Sequence, residues 1–216
     1  GGHLVTPCER PQRLDFIVEE IKTRGLGEIL NPNKVNLNII GKLHEQDYIK
    51  FLDNAWNEWT KEGFKGEAIP TVWPSRSMNS EKIPTFIEGK LGYYSLAGET
   101  SISNGSIEAA YEAVRVAISA VDTLVKDKLS GIFALCRPPG HHASKNQYGG
   151  YCFFNNAAIA AITTIIMIVM AFFFTAVASY IVGLVGNSNS PVSGMTITAV
   201  LFTGGMLYIF GFSGTE

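Results

Sequence analysis

Apolar positions recur at helical spacing in three stretches of the first two-thirds of the chain. Residues 10–24 place Leu14, Ile17, Val18 and Ile21 on one face, with Pro11 suited to the first turn and Gly25 to the stop. Residues 43–62 repeat Tyr48, Phe51, Leu52, Ala55, Trp56 and Trp59 at steps of three and four, and Gly63 follows. Residues 106–128 set Ile107, Tyr111, Val114, Ile118, Val121 and Val125 in one stripe. Ser106 is placed to cap that helix, Glu108 suits its positive end, and Lys126 and Lys128 suit its negative end. Residues 64–105 have no strong period and carry Pro70, Pro74 and Pro84, which predicts a long loop. The short apolar run Gly131–Cys136 predicts a strand buried on both faces, of the kind that follows a helix in a parallel sheet.

From Ala157 the pattern loses its polar face. Ala157 to Val185 carries no charge and is long enough to span a bilayer. Gly186-Asn187-Ser188-Asn189-Ser190-Pro191 breaks it, and Met195 to Phe212 is a second apolar stretch that only just suffices. The pattern therefore predicts an α/β unit followed by two hydrophobic, transmembrane helices.

Charge sharpens this division. Of 216 residues, 17% are charged and 46% hydrophobic. Lys145 is the last charged residue before Glu216, which excludes one uniform soluble domain. The abundance of Leu, Ile, Val and Phe excludes a disordered chain. A net charge of −2 gives no nucleic-acid footprint. Cys8, Cys136 and Cys152 are widely spaced and form no C-x-x-C, so no disulfide framework is implied and a reducing compartment is expected. Arg137 and Lys145 precede the first span, so the positive-inside rule places the N-terminal part in the cytoplasm, with a membrane as partner through residues 157–212.

The chemistry concentrates at Arg137-Pro138-Pro139-Gly140-His141-His142-Ala143. Open α/β sheets hold ligands at the carboxyl ends of their strands. Two adjacent imidazoles there can serve as a general base and an electrostatic partner. His44, in the cap region of the second helix, reads as a structural hydrogen-bonding group.

This run, with Gly149-Gly150-Tyr151-Cys152-Phe153-Phe154-Asn155-Asn156-Ala157-Ala158, resembles the histone deacetylase superfamily at the loop carrying its catalytic His pair. Upstream, Gly1-Gly2-His3-Leu4-Val5-Thr6-Pro7, Leu43-His44-Glu45-Gln46-Asp47-Tyr48, Ile69-Pro70-Thr71-Val72-Trp73-Pro74 and Leu91-Gly92-Tyr93-Tyr94 resemble its acetylpolyamine amidohydrolase branch. The resemblance covers residues 1 to about 162 and implies an arginase/deacetylase-like parallel sheet with helices, here incomplete. It implies zinc-dependent hydrolysis of an acetylated polyamine or acetyl-lysine, with His141 and His142 as catalytic residues and Tyr151 lining the substrate channel. It also implies an Asp-x-His pair and a further Asp as zinc ligands. After His142 the sequence has no His and no Asp, so no zinc is expected to bind this chain.

A second resemblance begins near residue 166. Ser179 to Thr198, with its N-S-x-x-P-x-S-G-M-T run, is similar to a segment of the oligopeptide transporter family, over roughly residues 166–214. The two resemblances meet near Ile162 inside one predicted helix, with no polar linker. The division expected is therefore a partial deacetylase-like domain over 1–162 and a hydrophobic transporter-like segment over 163–216. Three functions follow: a deacetylase, inactive for want of metal ligands; a fragment of a membrane transporter; or a chimera with no autonomous function, the reading favoured by the incompleteness of both parts.

Overall fold

The computed structural model describes residues 9–75, 77, 81–127 and 129–185. The chain divides into two units, Gly1–Ala161 and Ile162–Glu216.

In the first unit, helix α1 spans Gln12–Arg24. Gly25 takes φ +61°, the Leu26 N–H reaches the Ile21 carbonyl at 3.1 Å, and the Gly25 N–H reaches Lys22 at 3.3 Å. That is a left-handed glycine stop, as the sequence predicts. Leu14, Ile17, Val18 and Ile21 are only half-buried, and Phe16 is 63% exposed.

The helix expected over 43–62 is α3 (Gln46–Lys61), and a separate short helix, α2 (Ile40–Leu43), precedes it. His44 and Glu45 between them are extended, with ψ near 146° and 144°. The break has a cause that the helical period does not report. The Glu45 N–H turns away to the Lys145 carbonyl at 3.1 Å. Tyr48, Phe51, Leu52, Ala55 and Trp59 on α3 are buried as the pattern requires.

The expected loop over 64–105 contains helix α4, Ile87–Tyr94. It has only eight residues, two of them glycine, too few to show a period. At Gly92 a side chain would collide with the Val72 carbonyl, so the glycine admits that strand of backbone against the helix.

Helix α5 spans Ser106–Lys126. Its N-cap is Gly105 at φ +85°, and Ser106 is the first helical residue. The Ser106 hydroxyl accepts from the Ser103 N–H at 2.9 Å, so it ties down the preceding loop rather than the helix end. Ile107, Ala110, Val114 and Ile118 are buried, whereas Val125 is 45% exposed, so the buried stripe ends a turn early. Lys128 lies outside the described residues.

Aromatic rings stack on one another within a core otherwise made of Ile, Leu, Val and Ala. Phe51 stacks on Tyr94 with centroids 4.6 Å apart and on Tyr148 at 6.0 Å, and Tyr148 stacks on Phe153 at 5.8 Å. Offset stacking at such separations adds about 0.5–1.5 kcal/mol per pair to area burial.

One expectation of the fold class is corrected. Among the described residues there is no sheet, only isolated bridges at Ala68–Ile102, Ser95–Tyr148 and Gly149–Cys152. Residues 131–136 form no ladder, and Phe133 is 68% exposed. A ladder takes two strands. This run has no second one beside it among the described residues.

Helix α6, Asn156–Val185, begins in the first unit and continues into the second. By length and composition Asn156–Tyr180 could cross a membrane. The expected second span, 195–212, and most of the transporter-like segment lie outside the described residues.

Candidate functional site

Three devices present the two histidines. The first is the turn that follows the extended run. The Ala143 N–H donates to the Gly140 carbonyl at 3.3 Å, and the Arg137–Pro138 peptide is cis. A side chain at Gly140 would run into the backbone at Phe154 and Asn156, so the glycine lets the turn lie against the start of α6. His141 and His142 then stand exposed, their ring centroids 4.2 Å apart and inclined at 47°.

The second device is a tight hairpin. Gly149 and Cys152 exchange both backbone hydrogen bonds, at 3.0 and 2.9 Å. The two residues between them, Gly150 and Tyr151, have φ +57° and +63°. Positive φ at both central positions is what a mirror-image two-residue turn demands. For Tyr151 this is an uncommon conformation with a cost of order 1–3 kcal/mol. It is held by neighbours: the Tyr151 N–H donates to Thr100 Oγ1 at 2.7 Å and the Gly150 N–H to Glu99 Oε1 at 2.6 Å. Gly150 also makes room for the His142 ring, which any side chain there would strike.

The third device is an ion cluster. Glu9 accepts from Arg13 Nε at 2.8 Å and pairs with Arg137 Nε at 3.1 Å. Arg13 Nη2 also donates to the Cys136 carbonyl at 3.0 Å. Thus α1 ties itself to the residues just before the His pair.

His141, His142 and Tyr151 line one open cavity of about 790 Å³. Its other walls include α5 at Ala117, Ala120 and Leu124, and the run from Ile132 to Cys136, exposed at Ile132 and Phe133 and half-buried beyond. Burial pushes the thiols of Cys136 and Cys152 upward, and Cys136 Sγ donates to the Ala113 carbonyl at 3.3 Å. Neither thiol is poised as a nucleophile.

His44 is buried and is not among the residues that line the cavity. Its Nε2 accepts from the Asn155 N–H at 3.0 Å, and its Nδ1 lies 3.3 Å from the Lys145 carbonyl. Burial lowers its pKa. The structural reading of this residue is the one the geometry supports.

The sequence pattern did not identify Glu9, Arg13, Glu99 or Thr100. Each acts through a partner far along the chain, and no local period marks such a partner.

A histone deacetylase domain model matches residues 7–168. The chain belongs to the histone deacetylase family. The match runs past the boundary expected at residue 162. The chain is 46% identical over 155 residues to the acetylpolyamine amidohydrolase of Mycoplana ramosa, covering 72% of this chain and 45% of that protein. It is 42% identical over 156 residues to acetylpolyamine amidohydrolase 2 of Pseudomonas aeruginosa, with 72% and 44% covered. It is also similar to the crystal structure of acetylpolyamine aminohydrolase from Burkholderia pseudomallei, with TM-score 0.67 and 29% identity over 76% of this chain and 47% of that one. This likeness places the chain in the arginase/deacetylase-type fold of the family. The chain spans about half the length of the relatives it matches.

The family is zinc-dependent in general. A zinc site takes three or four N, O or S donors at about 2.0–2.3 Å. Beside the His pair, Glu9 is committed to two arginines. Among the described residues no three His, Cys, Asp or Glu side chains come together. The donors among the described residues do not fit a zinc ion.

Proposed function

We propose that residues 9–161 form the proton-handling portion of a deacetylase that acts on acetylated polyamines, and that this chain alone does not hydrolyse them. The observation that carries the reading is the His141–His142 pair, with its rings 4.2 Å apart in one cavity with Tyr151. Adjacent imidazoles can divide the work of amide hydrolysis. One takes a proton from the attacking water, and the other stabilises charge and protonates the leaving amine. Tyr151 lines the path of the acyl group. The exposed carboxylate of Glu99 accepts from the N–H of Gly150, which lines the cavity, and a negative charge there suits a cationic polyamine. The acetylpolyamine amidohydrolases of Mycoplana ramosa and Pseudomonas aeruginosa, which this chain resembles, support acetylated polyamines as the substrate class.

The test is acetate release from N-acetylputrescine with zinc supplied, alongside binding read from the His141 and His142 imidazole signals. Binding without turnover is expected. Absence of any binding, or turnover lost in His142→Ala, would each overturn it.

A second reading concerns location. The apolar run Asn156–Tyr180 favours membrane insertion of α6, with the first unit on the cytoplasmic side. Release of the chain by alkaline carbonate would contradict it.

A further inference from the structure

Between Ala143 and α6 the chain makes a detour that includes the hairpin, and then returns. Both ends of that detour meet His44. An amide N–H can only donate, so the Asn155 N–H fixes His44 Nε2 as an acceptor. A neutral imidazole has one ring proton, which must then sit on Nδ1 and point at the Lys145 carbonyl. Asn155 carries the restraint onward. Its Nδ2 donates to the Ala143 carbonyl at 3.0 Å, next to His142, and its Oδ1 accepts from the Ala158 N–H at 3.0 Å as the cap of α6.

We propose that His44 is a positioning residue for the His141–His142 pair, acting as a neutral, Nδ1-protonated clamp on Lys145 and Asn155. The proposal rests on the deacetylase reading for the meaning of the pair, and its geometry stands apart from that reading.

Neighbours from the same helix junction reinforce the clamp. The Tyr48 hydroxyl donates to the Phe153 carbonyl at 2.6 Å. Glu45 accepts from Lys145 Nζ at 2.9 Å and from Asn146 Nδ2 at 3.0 Å. The charged groups beside His44 are thus already matched to one another. Lowering of its pKa by burial agrees with a ring that stays neutral. An imidazole is suited to this place because it offers a donor and an acceptor at a fixed separation on a rigid ring, and so sets the spacing of the two loop ends.

The experiment uses the full chain, kept monodisperse in mild detergent and labelled with nitrogen-15 in histidine and asparagine. The chain has only 4 histidines, so the imidazole spectrum is readable. The wild-type chain should show His44 protonated on Nδ1. In His44→Phe the Asn155 amide should exchange roughly tenfold faster, the scale of one lost buried hydrogen bond, and both His141 and His142 signals should move. In His44→Gln, which keeps an acceptor for Asn155, protection should be largely restored. A His44 protonated on Nε2 would overturn the proposal, as would His141 and His142 signals indifferent to the Phe substitution. If His44→Phe fails to fold, the wild-type tautomer and His44→Gln still decide. An intact clamp in a chain that binds no acetylpolyamine would sink the deacetylase reading alone. A wrong tautomer in a chain that binds it would sink the clamp alone.

Discussion

His44 Nε2 accepts the Asn155 backbone N–H at 3.0 Å, joining two residues 111 positions apart. Protonating that nitrogen would break the bond. His44 is buried and its pKa in the folded chain lies below the ordinary histidine value of 6.5. Between those two values the unfolded chain therefore binds more protons. The stabilisation is fully present above pH 6.5 and is lost as pH falls below it towards the folded value, with a slope of at most about 1.4 kcal/mol per pH unit. Denaturant unfolding from pH 7.5 to 5 should show this loss, and His44→Gln should remove it. Glu45, whose pKa is lowered by its hydrogen bonds to Lys145 and Asn146, contributes stability that is present above pH 4.5 and is lost in a separate window as pH falls below it.

Gly150→Ala should disturb the site on two counts. Position 150 has φ +57°, where a side chain costs about 1–2 kcal/mol, and the new methyl would meet the His142 ring. A fall in stability of about 1–3 kcal/mol in a denaturant melt, together with a shifted His142 imidazole signal, is the expected outcome. An unmoved His142 would show that the ring is not seated there.

Tyr48→Phe removes a hydroxyl that is wholly buried and leaves the Phe153 carbonyl without that donor. The loss should be about 1–3 kcal/mol of stability, measured as a shift in the unfolding midpoint. A neutral result would mean that another donor replaces the phenol.

Much of the helical frame is legible in the sequence, because a buried stripe repeats every three or four residues and glycines mark its ends. The stop of α1 at Gly25 and the buried face of α3 are examples. The break at His44 and Glu45 is not legible, since its cause is the carbonyl of Lys145, distant in sequence. Helix α4 is too short and too rich in glycine to declare itself. The strand expected over 131–136 had the right composition, but composition cannot supply a pairing partner. At the site, the motif Arg137–Ala143 identified the histidines, whereas the supports at Glu9, Glu99 and Thr100 exist only through tertiary contacts.

Ile132 and Phe133 are exposed, and among the described residues their backbone has no strand partner, which favours self-association. Phe133→Lys should reduce self-association, read by sedimentation velocity at matched protein and detergent concentration. Equal association by both proteins would show that this run does not drive self-association.

If the first unit is the proton-handling portion of a deacetylase, as proposed, its residues should serve in a chain that supplies the metal ligands. The most direct measurement is acetate release by a hybrid. In it, the 155 matched residues of the Mycoplana ramosa acetylpolyamine amidohydrolase are replaced by their counterparts from this chain. The account expects hydrolysis of N-acetylputrescine that falls by at least about a hundredfold in His142→Ala of the hybrid. A folded, zinc-loaded hybrid that releases no acetate would contradict it.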